Sequence, residues 1–122
     1  MANGKKNWVF CDGYLPPHGD NPEFEGHEAL MLTNLNQKKA KIELTFLFED
    51  KEPESGIFVE LDGMRTKCIR LDHPLGEQKL QLGEAEQYTV WVKSDVPICA
   101  CFGRLDVRQT NMAYYSVEGY SF

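Results

Sequence analysis

Residues 40–49 alternate between apolar and polar side chains with a period of two. The apolar positions are Ile42, Leu44, Phe46 and Phe48, and the polar ones include Lys41, Glu43 and Thr45. Successive side chains of a β-strand point to opposite faces of the sheet, so the apolar groups would share one face. The segment is therefore predicted to be a half-buried strand of an antiparallel sheet.

Short segments of strand-like composition recur along the whole chain and are separated by turn signals about every 8 to 12 residues. They are residues 7–11, 28–35, 57–61, 64–71, 88–94, 96–109 and 113–118. Helical periodicity is almost absent from the sequence. Together these features predict an all-β fold, namely an antiparallel, jelly-roll-like β-sandwich of about seven or eight strands.

Three connections between these segments carry turn residues. The polar residues 36–39 are predicted to close a hairpin between the two strands that flank them. The pair Asp62-Gly63 is predicted to close a second hairpin, because glycine accepts the positive φ of a tight turn. A further tight connection is expected at residues 95–97, which include a proline.

The size and charge of the chain limit what it can be. Its 122 residues suffice for one domain, which we expect over residues 1–122 with an ordered core at about residues 7–118. A composition that is 42% hydrophobic and 26% charged is typical of a globular protein. The net charge of −6 argues against binding of nucleic acid by bulk electrostatics, because phosphate contacts need clustered Lys and Arg.

Location and redox state follow from two further observations. No apolar run is long enough for a transmembrane helix, and the first six residues lack the apolar region of a signal peptide. We therefore expect a cytoplasmic protein in which Cys11, Cys68, Cys99 and Cys101 are reduced thiols. These cysteines do not form a CxxC motif, so neither a metal site nor another cofactor is predicted.

Signals for catalysis are weak in this sequence. A nucleophile elbow, a zinc-protease motif, a phosphate-binding loop and a dinucleotide fingerprint are all missing. His27, Glu28 and Asp106 qualify as acid–base candidates by residue type only. The chain is therefore predicted not to be an enzyme.

The densest polar group lies at the end of the segment 96–109. Arg104, Asp106 and Arg108 occupy alternate positions and would share one face of a strand, with Gln109 beside them. Arginine offers planar donors to carboxylates, phosphates and vicinal hydroxyls, and a neighbouring carboxylate accepts from hydroxyls. The group predicts a site for a small polar ligand. The same spacing also fits a structural ion-pair ladder or a salt bridge between subunits.

Several short motifs occur in a fixed order between about Trp8 and Gln109. They are Gly13-Tyr14-Leu15-Pro16-Pro17, His27-Glu28, Asp50-Lys51-Glu52-Pro53, Arg65-Thr66-Lys67, Val96-Pro97-Ile98, Arg104-Leu105-Asp106 and Arg108-Gln109. This series resembles the sensory rhodopsin transducer family. The resemblance implies a β-sandwich assembled as a homotetramer. It also implies a cytoplasmic role in signal transduction, through contact with a membrane photoreceptor and downstream partners.

For part of that family, the resemblance implies binding of a small, carbohydrate-like molecule. The ligand-binding residues that it implies are Tyr14, His27, Glu28, Arg65, Thr66, Arg104, Asp106, Arg108 and Gln109. We therefore expect a non-enzymatic signalling protein that binds a sugar-like or anionic ligand, or a signalling partner. Two alternatives stay open: a photoreceptor transducer in the strict sense, and an enzyme acting on sugar derivatives.

Overall fold

The computed structural model describes residues 3–109 and 111–122, and the strands that it contains are all antiparallel. In chain order they are β1 (Lys5–Tyr14), β2 (His27–Asn34), β3 (Ala40–Phe48), β4 (Glu54–Leu61), β5 (Arg65–Arg70), β6 (Gln87–Asp106), β7 (Ala113–Val117) and β8 (Tyr120–Ser121). None of the described residues is helical, so the all-β prediction is confirmed. Of the expected domain 1–122, Met1, Ala2 and Thr110 lie outside the described residues.

The strands form two layers that share the long strand β6. The first layer has the order β4-β3-β6-β1-β8, and in the second layer β5 pairs with β2, β2 with β6, and β6 with β7. The first half of β6 pairs with β3 as far as Ser94, and the second half pairs with β2 from Cys99 onward. One strand of 20 residues therefore connects both sheets of the predicted sandwich.

The hydrophobic core lies between the two layers. The first layer contributes Phe10, Ile42, Leu44, Phe46, Val90 and Val92, and the second contributes Leu30, Leu32 and Phe102. The alternation in residues 40–49 is confirmed, because Ile42, Leu44 and Phe46 are buried and Phe48 packs against them. Burial of these apolar side chains is the main stabilising contribution to such a fold.

Both predicted hairpins are wrong. The turn after β2 and the turn at Asp62-Gly63 each carry the chain from one layer to the other, so neither β2 and β3 nor β4 and β5 form a strand pair. At the second turn, the residue with positive φ is Met64 (57°) and not Gly63 as expected. Gly63 is needed for a different reason, since a Cβ there would lie 2.2 Å from the carbonyl oxygen of Gln37.

The predicted connection at residues 95–97 is wrong as well, because β6 runs through it without interruption. Its residues bend the strand as it passes between layers, and the Ser94 hydroxyl donates to the Val96 carbonyl oxygen there (2.6 Å). No ladder partner is assigned to residues 95–97 among the described strands. Pro97 is tolerated because its position needs no N–H donor.

Candidate functional site

One end of the sandwich gathers three pairs of a carboxylate and a guanidinium. The pairs are Glu28 with Arg104, Asp72 with Arg70, and Asp106 with Arg108. The register of β2 explains this, since it places Glu28 opposite Arg104 and Ala29 opposite Arg70. The three carboxylate side chains are only 0%, 1% and 6% exposed. Charges buried to this extent must be compensated within the protein.

Glu28 is the most deeply buried of these acids. Its two carboxylate oxygens accept hydrogen bonds from the backbone N–H of Tyr14 (3.1 and 3.0 Å) and from Nε of Arg104 (2.9 Å). The Tyr88 hydroxyl donates a further short hydrogen bond to the same carboxylate. Burial raises the pKa of Tyr88 far above its usual value, and the charge of Glu28 raises it further. Tyr88 therefore stays a neutral donor.

Arg104 connects this buried acid to the surface. Its Nη2 donates to the main-chain carbonyl oxygen of Asp12 (2.6 Å), and its guanidinium lies 5.8 Å from the centre of the Tyr14 ring. The side chain is 13% exposed. Within the described residues, Nη1 has no hydrogen-bond partner. The guanidinium is thus fixed in position while one of its nitrogens remains available to a ligand.

Arg108 also lies near the Tyr14 ring, 5.6 Å from its centre. Its backbone N–H and its Nε donate to Asp106 (both 3.0 Å). The hydrogen bonds from Arg108 lower the pKa of Asp106 in spite of its burial. The same interaction raises the pKa of the Arg108 guanidinium. The predicted Arg-Asp-Arg series is therefore divided, because each arginine pairs with a different acid.

Asp72 ties the loop at residues 15–26 to the end of β5. It accepts from Nε (2.7 Å) and Nη2 (2.6 Å) of Arg70, and Nε2 of His18 lies 2.9 Å from the same carboxylate. Burial by itself would raise the pKa of Asp72, but the hydrogen bonds from Arg70 and His18 lower it below its usual value. The ionised form of Asp72 is therefore the one that stabilises this end of the sandwich.

We expect the protein to lose stability in acid through Asp72 and Asp106. A carboxyl whose pKa is lower in the folded than in the unfolded state stabilises the fold above its unfolded pKa of about 4, and this contribution disappears as the pH falls through the folded pKa. Urea unfolding between neutral pH and about pH 2 should therefore show a falling free energy of unfolding, with a shallower slope in Asp72→Asn.

The matched control for this titration is Asp62→Asn, because the side chain of Asp62 is 70% exposed. The free energy of unfolding of Asp62→Asn should stay within about 0.5 kcal/mol of the wild-type value at neutral pH. An acid slope that is identical in wild type and Asp72→Asn would show that the Asp72 pair does not contribute to it.

A groove opens between the irregular part of β1, at Cys11 and Asp12, and the paired strands β6 and β7 of the second layer. Its volume is about 460 Å³, and it is lined by Cys11, Asp12, Arg104, Tyr115, Ser116, Val117 and Glu118. This volume lies within the usual range for small-molecule sites. The positive charge of Arg104 is already compensated by Glu28, and Asp12 adds a further carboxylate. The groove is therefore better suited to an uncharged polar molecule than to an anion.

Five of the nine predicted ligand-binding residues come together at this end of the sandwich. They are Tyr14, Glu28, Arg104, Asp106 and Arg108. His27 lies beside them, but its Nδ1 contacts the carbonyl oxygen of Glu25 (2.7 Å). Gln109 lines a separate cavity of about 440 Å³ with Asp20, Asn21 and Phe24.

Arg65 and Thr66 lie at the opposite end of the second layer. They are in register with Asn34 and Thr33, at the far end of β2 from Glu28. At the rise of a β-strand this separation is about 20 Å. Thr66 instead forms hydrogen bonds with Thr33 (3.0 Å) and with the carbonyl oxygen of Leu32 (3.1 Å). These two residues therefore do not share a site with Arg104.

Sequence reasoning missed several residues of this cluster, among them Tyr88, Asp72 and His18. Tyr88 begins a predicted strand on its inward face, and a buried tyrosine hydroxyl needs a partner, so a buried polar contact could have been expected there. Asp72 and His18 lie in loops, and nothing in their spacing indicates that they meet.

The described residues hold no group of three or more His, Cys, Asp or Glu side chains that could bind a metal ion. Within the same part of the chain, no helix has the length and apolar character needed to cross a membrane.

Known proteins with the same fold and related sequences exist. The family model for the Anabaena sensory rhodopsin transducer matches residues 3–121. The crystal structure of Thermotoga maritima 1070 is 34% identical, with a TM-score of 0.86 over 98% of this chain and 97% of that chain. The Anabaena sensory rhodopsin transducer is 29% identical, with a TM-score of 0.75 over 88% of this chain and 94% of that chain. No curated protein matches the chain significantly.

Proposed function

The chain belongs to the Anabaena sensory rhodopsin transducer family, and on that premise we propose that it is a non-enzymatic signalling protein that binds a small, uncharged polar ligand such as a sugar. The ligand occupies the groove beside Arg104. The observation that carries this proposal is the state of Arg104, which is held by Glu28 and by the main chain at Asp12 while its Nη1 has no partner in the described residues.

The chemistry of the groove favours hydroxyl groups over charged ones. A guanidinium nitrogen donates to a hydroxyl oxygen, and the carboxylates of Asp12 and Glu118 accept from the hydroxyl hydrogens. Tyr115 is 46% exposed and lines the same groove, so its ring is available to the apolar face of a sugar. A phosphate or a sugar acid would instead meet these carboxylates at close range, which disfavours binding.

Replacing Tyr115 with alanine tests this proposal. Tyr115 lies directly opposite Arg104 in the β6–β7 register, on the same face, and lines the groove. A ligand that binds only the folded state raises the melting temperature. In a screen of neutral sugars, sugar acids and sugar phosphates, we expect at least one neutral sugar to raise the melting temperature of the wild type. Tyr115→Ala should reduce this rise because it removes the ring that packs against the sugar.

The matched control is Tyr114→Ala, which removes an exposed ring on the opposite face of β7 and should respond to the sugar as the wild type does. Calorimetric titration with the same sugar should give the wild-type dissociation constant for Tyr114→Ala and one about tenfold weaker for Tyr115→Ala. If no compound shifts the melting temperature of the wild type, or if Tyr115→Ala responds as Tyr114→Ala does, the groove is not the binding site.

A second candidate is a photoreceptor transducer in the strict sense, which the similarity to the Anabaena sensory rhodopsin transducer favours. In this function the chain binds a sensory rhodopsin in the membrane. Co-sedimentation with lipid vesicles that contain such a rhodopsin, compared with empty vesicles, separates the two candidates. Co-sedimentation with the rhodopsin vesicles but not with the empty ones supports the transducer function. A sugar-induced rise in melting temperature without such co-sedimentation supports ligand binding in the groove. The homotetramer and the cytoplasmic location that the family implies stay predictions.

A further inference from the structure

Four sulfur-containing side chains lie together on the outer face of the second layer, away from the groove. In the register of this layer, Cys68 of β5, Met31 of β2 and Cys101 of β6 are direct neighbours across the strands. Cys99 lies two residues before Cys101 and therefore on the same face. We call Met31, Cys68, Cys99 and Cys101 the sulfur patch.

The neighbouring side chains confirm which way this face points. Leu30 and Leu32, on either side of Met31, are fully buried in the core, so the Met31 side chain projects outward. Two residues further along β2, the paired residues Thr33 and Thr66 are hydrogen-bonded through their hydroxyls (3.0 Å). Side chains that are in register on this face are therefore in contact. Thr33 is also in register with Cys99.

The members of the sulfur patch are accessible and reduced. Cys68 and Cys101 are exposed, Cys99 is half-buried, and all of them are free thiols. Cys68 and Cys101 are two strands apart, which is about 10 Å at the usual strand spacing. That separation exceeds the reach of a disulfide, so an internal bond between these two is excluded without a backbone shift.

The spacing does fit a small ion bound by two or three sulfurs. Cβ atoms of direct cross-strand neighbours are about 5 Å apart, so the thiolate of Cys101 and the thioether of Met31 can reach one ion between them. Cys68 is the direct neighbour of Met31 on its other side, and Cys99 lies two residues from Cys101 along β6, so either can supply a third sulfur. Thiolate and thioether ligands select Cu(I), whereas a structural zinc ion needs four converging ligands, which the described residues do not supply.

We propose that the sulfur patch binds one Cu(I) ion, with Cys101 and Met31 as its central ligands. Each cysteine that binds releases its thiol proton to the solvent, and no electron is transferred because copper arrives as Cu(I). The site is independent of the groove beside Arg104, so its presence does not depend on sugar binding.

Anaerobic titration with Cu(I) in competition with the chelator bathocuproine disulfonate tests the proposal. We expect the wild type to remove one equivalent of Cu(I) from the chelator, with Cu–S distances in X-ray absorption and no Cu–N or Cu–O contribution. Cys101→Ser should weaken binding by about tenfold or more, since even supporting residues around a metal contribute 10- to 100-fold. Met31→Leu keeps the volume of the side chain and should weaken binding as well.

The control is Cys11→Ser, which removes an exposed thiol on β1, outside the sulfur patch. It should leave the affinity and the stoichiometry unchanged. Circular dichroism shows whether Cys101→Ser is folded. If it is not, the Cu(I) affinity of Met31→Leu tests the same site. Failure to compete with the chelator, or an equal loss of binding in Cys11→Ser, would overturn the proposal.

Discussion

Arg104→Met is expected to lower the free energy of unfolding by about 3 to 5 kcal/mol, the usual consequence of removing one partner of a buried ion pair. Glu28 is fully buried, and Arg104 is its only cationic partner among the described residues. Without the guanidinium, the carboxylate would keep only the Tyr14 N–H and the Tyr88 hydroxyl as donors. Urea unfolding followed by tryptophan fluorescence measures the change.

The matched control for this variant is Arg65→Met, at the other end of the same layer. Arg65 is exposed, and the hydrogen bond recorded for its side chain goes to the carbonyl oxygen of Met64. The free energy of unfolding of Arg65→Met should stay within about 0.5 kcal/mol of the wild-type value. The double variant Glu28→Gln/Arg104→Met should be more stable than Arg104→Met alone, because it removes the uncompensated charge. Equal stability of Arg104→Met and Arg65→Met would contradict this account.

Gly13→Ala is expected to lower the free energy of unfolding by about 2 to 4 kcal/mol, through overpacking and the loss of a buried hydrogen bond. A Cβ at this position would lie 2.5 Å from a ring carbon of Tyr88. Tyr88 is only 2% exposed and donates its hydroxyl to Glu28, so its ring cannot move aside without breaking that contact. Thermal and urea unfolding both report the loss.

Gly83→Ala serves as the control for the glycine substitution. A Cβ there would make ordinary contacts of 3.6 Å or more with Glu86, and Gly83 is not among the residues with positive φ. Its stability should be unchanged or slightly raised, because alanine restricts the unfolded chain. If the two glycine variants are equally stable, the close approach of Gly13 to Tyr88 has no energetic importance.

Much of the architecture was predictable from local patterns. The alternation in residues 40–49 and the recurring turn signals indicated an antiparallel all-β fold because side-chain direction in a strand depends only on position along the chain. The same rule placed Arg104 and Asp106 on one face. Pairing between strands was not predictable. The turns at residues 36–39 and at Asp62-Gly63 look like hairpin turns, yet both connect different layers.

The candidate site shows the same division. Residue type and spacing identified Arg104, Asp106 and Arg108, and the family resemblance added Tyr14 and Glu28, but neither indicated which acid pairs with which base. Arg104 pairs with Glu28, which is 76 residues away, because the β2–β6 register brings them together. The family resemblance grouped Arg65 and Thr66 with this site, but the register of β5 places them at the far end of the layer.

The sequence by itself determined the strand character of the chain, its outward- and inward-facing positions and its family, since each of these depends on the order of neighbouring residues. Only the tertiary structure decided that β6 belongs to both layers, that a groove opens beside Arg104, and that three cysteines and a methionine share one outer face. These features arise from contacts between residues far apart in the chain, which local periodicity does not encode.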